Sequence, residues 1–101
     1  MTIVTRAFDA ARYLDGPEDE ADLLSDALAD GDHRYIAAAL GTVARAHGGI
    51  AQLSTATGLT RAALHKALSE KGNPTLETVL KVLEALGLRM HIERRELADV
   101  E

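Results

Sequence analysis

Helix breakers recur through the whole chain, and their spacing limits what it can fold into. Gly16-Pro17, Gly31, Gly48-Gly49, Gly58, the run Gly72-Asn73-Pro74 and Gly87 divide it into short segments. Between them Ala, Leu, Glu and Asp dominate, and apolar residues return at three- and four-residue intervals, the period of one helix face. A chain so divided reads as a series of short helices, not as one long helix or a sheet. Of 101 residues, 47% are hydrophobic. Much of that share is Ala, which leaves enough larger side chains for one small core and a single domain. Cysteine is absent, which excludes a disulfide framework and thiolate metal sites. No apolar run approaches the ~18 residues of a membrane helix, and no basic-then-apolar leader opens the chain. The expectation is a soluble cytoplasmic protein.

The segments carry their own start and stop signals. Residues 8–14 read as a first short helix. Pro17 suits the first position of the next, where its fixed φ fits and its missing N–H has no partner to lose. Glu18, Asp19 and Glu20 then fall in the first turn, where the helix dipole favours anions. Leu24, Ala27 and Leu28 continue the apolar face to Gly31. Asp32 is an N-cap candidate for a helix bearing Ile36, Leu40, Val43 and Ala44. After Gly48-Gly49 a very short helix over 51–56 is expected. Thr60 caps another over 61–69, with Leu64 and Leu68 inward, and Thr75 caps a last one with the stripe Leu76, Val79, Leu80, Leu83 and Leu86. Beyond Gly87 the period changes. Leu88, Met90 and Ile92 alternate with Arg89, His91 and Glu93, which predicts a β-strand.

Net charge is −5, but it is unevenly placed. Residues 1–33 hold nine acids and two bases, while 34–101 hold nine bases and seven acids. Such a division implies two surfaces with different partners. Enzymatic patterns are weak. His33, His47, His65 and His91 have no second ligand at metal spacing, so no metal site is expected. The acids Asp15, Glu18, Asp19, Glu20 and Asp22 gather at a solvated helix start, which offers no sheltered pocket to split their pKa values for acid–base work. No P-loop, dinucleotide fingerprint or nucleophile elbow occurs. No catalytic residue and no cofactor are expected.

The informative stretch is 50–86. Two short helices around a tight turn at Gly58 form a helix-turn-helix pattern, with Ser54 and Ala63 small enough for a close crossing. The second helix turns Arg61, Ala62, His65 and Lys66 outward at i, i+1, i+4 and i+5, opposite Leu64 and Leu68. Such a face suits a major groove, where Arg forks onto guanine and small side chains sit beside a thymine methyl. A plain helical hairpin with a solvated basic face is the alternative.

The run GLTRAALHKALSEKGNPTLETVLKVLEALGL resembles the Xre-type, lambda-repressor-like helix-turn-helix family, in its turn TGLTR, its loop GNPTLETVLKV and its closing ALGL. With FDAARYL at 8–14, DALADGD at 26–32 and AALGTVARAHG at 38–48, the chain over roughly 8–93 is similar to addiction-module antidote proteins, antitoxins related to the HigA type. The resemblance implies a lambda-repressor-like all-α bundle of five or six short helices. It also implies a non-enzymatic antitoxin that neutralises a small basic RelE/ParE-like toxin encoded beside it and represses its own operon as a dimer on operator DNA. It places Arg61, Ala62, His65 and Lys66 on the groove-facing side, and Gln52 and Thr60 against backbone phosphates. Ala51 stands where the family usually has a capping Ser or Thr. A stand-alone Xre-type repressor without a toxin, and a protein-interaction module that has lost DNA binding, are the alternatives.

These readings divide the chain into an acidic helical segment (1–33), a helix-turn-helix core (34–87), a dimerisation strand (88–94) and a tail (95–101). On this account Asp15, Glu18, Asp19, Asp22 and Asp26 contact the basic toxin. Leu88, Met90 and Ile92 pair with the same strand of a second copy, or with the short run Ile3-Val4-Thr5. Pairing across a two-fold axis sets two recognition helices ~34 Å apart, one DNA turn.

Overall fold

The computed structural model describes residues 16–94. The helix expected over 8–14, the run at 3–5, Asp15 and the tail 95–101 lie outside the described residues. The described residues form five helices: α1 (Pro17–Asp30), α2 (His33–Ala46), α3 (Ile50–Thr57), α4 (Arg61–Ala67) and α5 (Leu76–Ala85). None is long and apolar enough to cross a membrane.

The helix ends follow the local chemistry. Asp32 accepts from the Arg34 N–H at 2.9 Å. Thr60 accepts from Ala63 at 3.0 Å and Thr75 from Thr78 at 3.1 Å, each side chain satisfying one N–H that has no partner in the first turn. The Arg34 backbone N–H, and then its guanidinium, hold the Asp32 carboxyl below the usual carboxylate range. Pro17 occupies the first turn of α1, with Glu18, Asp19 and Glu20 beside it.

Leu24, Ala27, Leu40, Val43, Leu53, Leu64, Leu68, Val82, Leu83 and Leu86 close one core, with Ile36, Leu59 and Val79 packed against it. α1 lies on α2, and α3 packs on α4 and α5. Each fully buried Leu or Val contributes about 1.5–3 kcal/mol. A close approach between elements is at Gly41 in α2, where a Cβ would stand 2.6 Å from the Leu68 carbonyl oxygen. The absence of a side chain there lets the end of α4 rest on α2.

Several expectations need correction. α3 starts at Ile50 and α4 ends at Ala67, with Leu68 already in the C-cap position. The stripe on α5 is rotated: Val82, Leu83 and Leu86 are buried, whereas Leu76 is 65% and Leu80 48% exposed. These two stand on the flank of the helix, because the face toward α3 and the core is centred on Val82 and Leu83. Leu28 is also 42% exposed.

The expected strand over 88–94 is not formed, and there is no strand among the described residues. Gly87 has φ 77°. Its N–H bonds the Glu84 carbonyl at 3.1 Å, and the Leu88 N–H bonds Leu83 at 2.8 Å. That is a Schellman closure, in which an apolar residue just past the glycine folds back onto the helix end. Leu88 is therefore apolar because it caps α5 and packs on the core, not because it opens a strand. Without it the alternation reduces to Met90 and Ile92, and no strand among the described residues offers a ladder to join.

Candidate nucleic-acid interface

Residues 58–60 connect α3 to α4. Gly58 has φ 81° and donates to the Ser54 carbonyl at 2.9 Å. The Ser54 hydroxyl donates to Leu59 O at 2.6 Å, and the Leu59 N–H reaches Thr57 Oγ1 at 3.1 Å. Ser54 thus stitches the turn together rather than serving as a small contact between helices. Ala63 is exposed; the close helix approach at Gly41 lies between α2 and the end of α4, not between α3 and α4. Leu53 and Leu64 fix the pair from beneath, 4% and 0% exposed.

With Leu64 buried, α4 turns Arg61, Ala62, His65 and Lys66 to solvent, and all four are exposed. The structure divides them. Arg61 and His65 line a cleft of about 570 Å³ together with Arg45, Gly48, Ile50 and Ser69. Lys66 lines a second cleft with Lys71, Asn73 and Thr75. Ala62 lies between the two along the exposed arc. Gln52 is exposed on α3 and lies outside both clefts, its side chain lying against Gly48. Thr60 is exposed at the start of α4, its hydroxyl oxygen engaged as the cap.

Arg45 is not among the DNA contacts expected from the sequence. It stands in the last turn of α2, where its charge complements the helix dipole, and Nη2 donates to Thr42 Oγ1 at 3.3 Å. Only the packing of α2 beside α4 brings it into the same cleft as Arg61. The signal available in the sequence was its place in the acid-poor stretch 42–75, where Glu70 is the one acid. The resulting surface has cations from α2, α4 and the following loop, and the helix start at Gly49, which has no side-chain cap, opens beside it. Its chemistry suits a polyanion.

The acids lie on another element. α1 carries Glu18, Asp19, Glu20, Asp22, Asp26 and Asp30 and no base. Glu18, Asp22 and Asp26 are exposed and Asp19 half-exposed. Glu20 differs: its side chain is only 8% exposed, and His47 Nε2–H donates to both carboxylate oxygens at 2.8 and 2.9 Å. This pair fastens the first turn of α1 to the residue that ends α2. Glu20 is thus a tether within the fold, not one more member of the acidic surface.

Residues 4–94 match the family described as "Probable addiction module antidote protein". A protein of Haemophilus influenzae described as uncharacterized is 37% identical over 98 residues, covering 97% of this chain and 100% of that protein. No solved structure matches the chain. The family match spans all five helices with both the cationic and the acidic surface, and the chain belongs to the addiction-module antidote family.

Proposed function

We propose that this protein is the antitoxin of a type II toxin–antitoxin module, that it neutralises a small basic toxin, and that it represses its own operon by binding DNA through a lambda-repressor-like helix-turn-helix. The carrying observation is the exposed arc of Arg61, Ala62, His65 and Lys66 on a Thr60-capped helix held from beneath by Leu64. α4 enters the major groove with Arg61 and His65 at base edges and Ala62 beside a thymine methyl. Lys66, Arg45, Gln52 and Thr60 contact phosphates and fix the register. Operator reading by a homodimer follows from the two-fold symmetry of half-sites, through a surface other than a C-terminal strand. The exposed acids of α1 draw in the toxin by electrostatic steering. No step in this account is catalytic.

The test is a titration of the full chain onto its own upstream DNA at two salt concentrations. Arg61→Ala should lose about 1–3 kcal/mol on the specific site and relax discrimination there. Lys66→Ala should weaken binding evenly across sequences, with the salt slope reduced by about 0.9 for the lost phosphate contact. Operator affinity unchanged in the double variant would remove α4 from the interface.

A further inference from the structure

We propose that the groove between α1 and residues 88–93 seats one amphipathic helix of the toxin, its apolar side on Leu28 and Met90 and its basic flank on Glu18, Asp22 and Asp26; the proposal rests on the antitoxin reading above. The groove has a volume of about 710 Å³. Leu24 and Leu83 form its buried floor, while Leu28, Met90 and Ile92 rise from its walls, 42%, 37% and 92% exposed. Adjoining apolar side chains left open to solvent along a groove mark an interaction surface rather than scattered exposure. α1 turns the row Ala21, Ser25 and Ala29 into it. These side chains are small and four residues apart, so a second backbone can approach closely.

The charge selects the occupant. Glu18, Asp22 and Asp26 are also four residues apart, and their row runs alongside the small one on the solvent side of α1. No base on α1 offsets it. The remaining polar groups along the groove are Ser25, Arg89, His91 and Glu93, too dispersed to converge on a small polar ligand of the kind that enclosed sites hold. A helix with apolar anchors at i, i+4 and i+7 and Lys or Arg on one flank satisfies both rows at once. A second copy of this chain fits worse, because two grooves face to face would set one acidic row against another. The groove shares no residue with the cleft at Arg45, Arg61 and His65, so toxin and operator can be held together.

The test measures binding of the full chain to the purified product of the neighbouring reading frame, at low and moderate salt. Leu28→Arg, at a solvent-exposed position, should weaken binding by about a hundredfold, the loss expected of a central anchor. Ser25→Tyr fills the groove without adding charge and should also weaken it. Asp22→Lys with Asp26→Lys should slow association about tenfold at low salt and flatten its salt dependence. Operator affinity and melting temperature should stay at wild-type values in all of them. Wild-type toxin affinity in Leu28→Arg and Ser25→Tyr overturns the groove and leaves the antitoxin reading standing. Loss of self-association in these variants, with toxin affinity unchanged, assigns the groove to a second copy and also overturns the proposal. A wild-type chain that does not bind the neighbouring product overturns the antitoxin reading itself, and the groove with it.

Discussion

Glu20 and His47 are 27 residues apart and make the one contact of the described residues in which a carboxylate leaves solvent. A buried carboxylate with one partner is costly to orphan. His47→Ala should therefore destabilise the fold by about 2–3 kcal/mol in urea unfolding. Glu20→Gln should cost less, about 1 kcal/mol, because a buried amide can still bond a neutral imidazole. The reverse order would mean that water already solvates the carboxylate. Nothing in the sequence marked this pair: Glu20 sits among acids whose helix-dipole role is sufficient reason for their presence, and His47 lies beyond any local contact range. The capping residues were legible for the opposite reason. Asp32, Thr60 and Thr75 act on N–H groups two or three residues away, so their task is fixed before any tertiary contact forms.

At the scale of elements, the breakers that divide the sequence also end α1, α2, α3 and α5, whereas α4 stops at Leu68, ahead of Gly72. α2 closes on Gly48-Gly49 with the Gly49 N–H on Ala44 O at 2.8 Å, and α5 closes on Gly87 with the same bond pattern from Leu88 to Leu83. The second closure is also what misled the strand reading, since an apolar residue after a C-terminal glycine imitates the start of an alternation. The α5 stripe was legible in period but not in rotation, because Val82 is a sixth apolar residue at the edge of the expected face, and only packing decides that it is buried. Gly41 is the opposite case. Inside a helix it reads as a mild defect, about 1 kcal/mol worse than Ala, yet it admits the Leu68 carbonyl. Gly41→Ala should therefore destabilise by about 1–2 kcal/mol in equilibrium unfolding, the strain of displacing backbone exceeding the gain in propensity. A stabilised variant would show that α2 and α4 separate at little cost.

Over the whole molecule, charge and shape are divided between two surfaces that share no lining residue. α4, the end of α2 and the loop after α4 gather the cations, and α1 offers acids beside the apolar groove it forms with the chain after α5. The division of charge was visible in the sequence, because it needs only counting along the chain. That Arg45 joins the cationic side, and that Leu28 and Met90 line one groove, depended on how the helices pack. If the two surfaces serve two partners, damage to one should spare the other. The decisive measurement is growth of cells in which the neighbouring reading frame is induced, with and without this chain. The wild type and the Arg61→Ala/Lys66→Ala variant should both restore growth, while the variant alone loses operator binding. Growth that stays arrested in the presence of the wild-type chain, or that is never arrested by the neighbouring product, would contradict the account.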